Sequence, residues 1–107
     1  MARYLDEASA NADGVFITHQ PDQNRFAVTK GDQLLGTLAY TLNDDASGMS
    51  IDFTSTFVDD ALRGRGVAGL LAEHALNDEI VKGRKVEATC SFIAGYIERN
   101  PHLGGVR

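Results

Sequence analysis

The chain predicts an α+β fold with a mainly antiparallel sheet, one parallel step and two main helices. Three observations lead there. As far as Val58 the apolar residues recur mostly with period two between clusters of turn residues. From Gly66 the period changes to that of a helix. At Lys85 period two returns, after a crossover long enough for parallel pairing with the strand before it.

Residues 1–14 are polar and rich in small side chains, and they are expected to be loose at their start. Val15–Thr18 (VFIT) predicts a short strand, closed by the turn-rich HQPDQN. Arg25–Lys30 alternates apolar and polar residues, and Gly31–Asp32 turns the chain into Gln33–Asn43, so the two segments predict an antiparallel hairpin. Asn43–Gly48 reads as a loop. Met49–Val58 is the longest strand-like stretch, with serines and threonines spaced for a polar face. Val67, Leu70, Leu71 and Ala75 keep helical spacing, and Leu76 and Ile80 widen the stripe. Lys82 and Gly83 supply the cation and the left-handed residue that suit its C-terminus. Lys85–Cys90 alternates again, with Val86, Ala88 and Cys90 on one face. Ser91 is placed to cap a last helix whose apolar side is Phe92, Ile93, Tyr96 and Ile97, and Pro101 stops it.

The totals narrow the function classes. At 107 residues the chain supports one domain, residues 1–107, with a modest core. It is 43% hydrophobic and 23% charged, as globular proteins are. Its apolar runs are too short to span a membrane, and its first residues lack the apolar block of a signal peptide, so a cytoplasmic location is expected. The single cysteine, Cys90, excludes an internal disulfide and a multi-cysteine metal site, and no metal is expected. A net charge of −5 argues against a nucleic-acid partner. The sequence leaves the oligomeric state open.

Against that acidic background, Leu62–Ala68 reads LRGRGVA, with two arginines and two glycines where a helix is about to begin. Glycine costs about 1 kcal/mol relative to alanine inside a helix, so helix stability alone does not explain the run. A strand that leads through a glycine-rich turn into a helix N-terminus can hold phosphate, because the first amides of the helix are unpaired and its dipole adds positive charge. Gly64 and Gly66 let a ligand approach the amides, and Arg63 and Arg65 are candidates for charge-assisted contacts. The run lacks the Gly-Lys-Ser/Thr ending of a P-loop and the third glycine of a dinucleotide fingerprint. A solvated surface turn is the alternative.

Arg63-Gly64-Arg65-Gly66-Val67-Ala68 resembles the acyl-CoA-binding signature of the GNAT N-acyltransferase superfamily, Arg/Gln-x-x-Gly-x-Gly/Ala, and lies between the long strand and the helix, where that family keeps it. GRGVAGLLAEHAL, GRKVEATCSF and YIERNP are similar to the short single-domain branch of predicted acetyltransferases, which carries a cysteine after the strand that follows the helix. The resemblance covers most of Arg25–Pro101 and is strongest from Thr56 onward. It implies a GNAT-like fold and acetyl-CoA as co-substrate. The amides of Arg65, Gly66, Val67 and Ala68 would bind the pyrophosphate, Arg63 and Gly64 would shape the loop, and the strand edge at Phe57 and Val58 would pair with the pantetheine arm.

Acetyl transfer to an amine needs a neutral nucleophile, a path for its proton and a donor for the departing thiolate. Cys90 precedes a helix start that would lower its pKa, and it is a covalent acyl acceptor, as the resemblance implies, a residue lining the CoA tunnel, or a buried core residue. Tyr96 is the proton donor the resemblance implies, or else a packed aromatic. Where the short branch carries His-Thr-Glu, this chain has Ser55-Thr56-Phe57, so the usual base is missing. His74 reads as a packed or rim residue, and His19 and His102 fall in turn-like segments without an obvious partner. Asp52 and Glu87 lie mid-strand. The acceptor is an unidentified amine, and the acidic balance favours a basic one such as a polyamine or lysine side chain. A CoA-binding module without catalysis and an interaction domain are the competing readings.

Overall fold

In the computed structural model, which describes residues 3–101, five strands form one sheet in chain order: β1 (Val15–Gln20), β2 (Arg25–Lys30), β3 (Gln33–Asp45), β4 (Gly48–Val58) and β5 (Lys85–Ala88). The first four pair antiparallel and β5 joins β4 in parallel, so the predicted class is the observed one. Among the described residues there are three helices: α1 (Glu7–Ala12), α2 (Val67–Leu76) and α3 (Ser91–Arg99). None is long and apolar enough to cross a membrane.

The hairpin of β2 and β3 closes through Gly31–Asp32, with Lys30 opposite Gln33. Its alternation buries Phe26 and Val28 of β2 and Leu38 and Tyr40 of β3 on one face, against α2 residues Leu71, Ala75 and Leu76. Isolated helices of ten residues are marginal in water, so this burial is what holds α2 in place. Ile93 of α3 is fully buried in the same cluster.

Two irregularities set the faces. The β2–β3 register shifts between Val28 and Thr29, and the β3–β4 register shifts between Ala39 and Tyr40. In the second, Tyr40 pairs with Phe53 and Ala39 with Ser55, so Thr54 is an extra residue in β4. Before it Ile51 and Phe53 face the core, and after it the inward positions are Thr56 and Val58.

Within the N-terminal segment an unforeseen helix, α1, forms because Asp6 and Ser9 make a reciprocal capping box in which each side chain takes the other's backbone N–H. The structure corrects three readings. α2 stops at Leu76, not at Lys82 and Gly83: Asn77 caps it and Asp78 starts a separate 3-10 turn, Glu79–Val81, by accepting from the amide of Ile80. β3 and β4 extend into the predicted loop, reaching Asp45 and Gly48. Cys90, not Ser91, occupies the N-cap of α3, and β5 ends at Ala88, two residues before it.

Candidate functional site

β4 outruns its partner. Its pairing with β5 covers Ser50 to Phe53, and the Cys90 amide adds one more bond to the Phe53 carbonyl at 2.9 Å. Beyond that point the strands part, while β4 continues through Val58 against β3 alone. This leaves the β4 edge at residues 54–58 facing a slit. Short β5 is pinned at both ends. The Arg84 guanidinium donates to Asp44 at 2.6 Å and to the Ser50 carbonyl at 3.2 Å. Asp52 accepts from the Thr89 amide at 2.8 Å and from its hydroxyl at 2.7 Å. Asp52 is thus a structural clamp.

The slit opens beside a cavity of about 410 Å³ at the start of α2. Val58, Leu62 and Phe92 form apolar wall, and Gly64, Gly66, Val67, Ala68 and Gly69 bring backbone to its surface. Gly64 and Gly66 adopt φ of +78° and +80°, in the left-handed region that side chains make costly. A Cβ on Gly64 would meet no protein atom within 4 Å, so open space faces that backbone. Gly66 is the N-cap of α2 and offers no capping side chain, the first turn carries no acid, and the amides of Val67, Ala68 and Gly69 have no acceptor among the described residues. By contrast, Asp6, Asp59 and Asp78 cap the shorter helical turns.

The polar side chains at the cavity are Arg3, Arg63, Arg99 and Tyr96, and among the described residues no carboxylate lines it. Arg65 differs from its expected role. Its guanidinium lies 4.3 Å over the Tyr4 ring and 3.6 Å from Asp13, and its carbonyl accepts from the Tyr4 amide at 2.8 Å. It fastens the N-terminal segment instead of lining the cavity, and its own amide donates to the Leu62 carbonyl. Arg3 and Arg99 escaped the sequence reading. One lies far from the motif along the chain, and the other reads as a helix-terminal cation.

Tyr96 stands on α3 with its ring edge 4.0 Å from where a Gly69 Cβ would be. Burial raises its pKa, and the Glu73 carboxylate raises it further while Arg99 opposes. Cys90 does not line the cavity but borders the slit, half-buried, with Sγ 3.3 Å from the Thr56 hydroxyl. Burial pushes its thiol up, but the Thr56 hydroxyl and the backbone of Ile93, Phe92 and Thr56 outweigh it and hold the pKa below the ordinary value. Of the two candidate catalytic residues, Tyr96 lines the cavity and Cys90 borders the slit beside Thr56.

Of the remaining candidates, Ser55 and Phe57 face away from the core, Phe57 with 53% of its surface exposed. Phe57 and Val58 both keep their backbone on the open β4 edge. His19 is not in a turn but on β1, stacked 4.3 Å from Phe26, 2.6 Å from the Tyr40 hydroxyl and 3.5 Å from Asp78. His74 ties α2 to α1 through Glu7 at 3.0 Å. Glu87 sits opposite Asp52 on β5. His102 lies outside the described residues.

Residues 25–106 match the family model described as GCN5-related N-acetyl-transferase. Protein NATD1 of Xenopus tropicalis is 38% identical over 103 residues, covering 94% of this chain and 91% of that protein. The proteins of the same name from Mus musculus and Homo sapiens are 41% identical over 51 residues, covering 48% of this chain and 46% and 45% of theirs.

Proposed function

The chain belongs to the GCN5-related N-acetyltransferase family, and on that premise we propose that it moves an acetyl group from acetyl-CoA to an amine. The observation that carries the reading is a cavity that no carboxylate lines among the described residues, ringed by three arginines at a helix start without a capping side chain, in a chain of net charge −5. Such a place favours a multiply charged anion, since amides, dipole and guanidinium groups act in the same sense.

Acetyl-CoA fits these residues. The amides of Val67, Ala68 and Gly69, with Arg63 beside them, would hold its phosphates, and the open β4 edge would pair with its peptide-like arm. When bound it supplies an acetyl thioester, which is activated toward attack by an amine. Tyr96 keeps its proton at neutral pH, because burial and Glu73 both raise its pKa, and so it acts as the proton donor at the cavity wall. An acidic protein favours a cationic acceptor, a polyamine or a lysine side chain. One observation supports a second route in which Cys90 takes the acetyl group first: its thiol has a lowered pKa and sits where the strands part.

Calorimetric titration with acetyl-CoA tests the reading. Binding at micromolar ligand is expected, with loss of binding on Gly64→Val, which puts a side chain into the open cavity. Absence of heat at that concentration would overturn it. Mass spectrometry of a panel of polyamines and lysine peptides then identifies the acceptor. Intact-mass measurement after incubation with acetyl-CoA shows whether Cys90 gains an acetyl group that Cys90→Ser lacks.

A further inference from the structure

Arg3 lies outside residues 25–106, which carry the family match, yet its side chain reaches the family's loop. A Cβ on Gly66 would fall 3.2 Å from Arg3 Nη2, and Arg3 lines the cavity with Arg63 and Arg99. Among the described residues neither Arg3 nor Arg99 is paired with a carboxylate, whereas Arg63 holds Asp60 at 2.9 Å. A cation beside the N-terminus of a helix is repelled by the dipole, and three cations round one cavity repel each other. The backbone next to Arg3 is nonetheless fixed there. Tyr4 is only 8% exposed, its amide donates to the Arg65 carbonyl, its ring lies under the Arg65 guanidinium, and its hydroxyl donates to Asp13.

Arg3 is exposed, so water screens its charge, yet its neighbour's anchor keeps it beside the other arginines, where an arriving anion gains from all of them at once. We propose that Arg3 is a phosphate-binding residue of the acyl-CoA site, contributed by a segment that precedes the family's common core. The inference rests on the reading of the α2 loop as a CoA site. It gives the N-terminal anchor a purpose, which is to present a third guanidinium to the phosphates.

Acetyl-CoA titrations of the wild-type chain, Arg3→Ala, Arg3→Lys and Gly64→Val, each at several salt concentrations, test it. Arg3→Ala is expected to weaken binding about tenfold, the loss of one charge-assisted contact, and to flatten the salt dependence. Arg3→Lys should fall between. A residue with only a structural role would lower the ligand-free melting temperature, whereas removing Arg3 should leave that temperature unchanged or raise it. Dephospho-CoA locates the contact: a penalty retained puts it on the pyrophosphate, and a penalty lost puts it on the ribose phosphate. If Arg3→Ala binds as the wild type does while Gly64→Val does not bind, the inference falls and the loop reading stands. If the wild type itself fails to bind, both fall.

Discussion

The Cys90 thiol has burial on one side of its balance and four hydrogen bonds on the other, from the Thr56 hydroxyl and the backbone of Ile93, Phe92 and Thr56, and the hydrogen bonds win. Thiolate is the reactive form, so a lowered pKa extends reactivity toward lower pH. The pH profile of Cys90 alkylation should therefore inflect below that of an ordinary cysteine. Thr56→Val removes a donor and should move the inflection up. A profile that Thr56→Val leaves in place would remove Thr56 from the account. At this scale the sequence was informative about type and poor about direction. A cysteine before a helix start was visible, and so was its consequence for the thiol. Arg63 and Arg65 were equivalent as letters, but one borders the cavity and the other stacks on an aromatic ring some sixty positions away in the chain.

Among the elements, β5 is the critical one, because four residues must hold one wall of the slit. Its anchoring at Thr89 rests on Asp52. Asp52→Ala should cost about 1 kcal/mol, and hydrogen exchange should show the Thr89 amide losing protection while α2 keeps its own. Equal loss in both would mean that the clamp supports the whole fold. Strand and helix periods were legible in the sequence, and so was the hairpin turn. The extra residue Thr54 was not, since no glycine or proline marks it, and it alone reverses which side chains of β4 face inward. The end of α2 was hidden for another reason: Ile80 continues the apolar stripe although Asn77 and Asp78 have already redirected the backbone. The α1 cap was missed because it runs Asp-x-x-Ser, the reverse of the usual order.

Over the whole molecule one core joins the sheet, α2 and α3, with Leu71 fully buried at its centre. Leu71→Ala should destabilise the chain by about 3 kcal/mol, read as a lowered melting temperature. A near-neutral effect would show that α2 is dispensable to the core. The fold class and the loop were readable because both are written in short-range patterns. The full ring of cations was not, because it closes only when distant segments meet. That closure has a consequence for how the protein comes into being. The cavity takes Arg3 from one end, its glycines from the middle and Arg99 from the last helix. A ribosome making this chain completes the ring of arginines only after α3 has emerged, and a fragment that kept the loop but lost either flank would carry the signature with an incomplete ring.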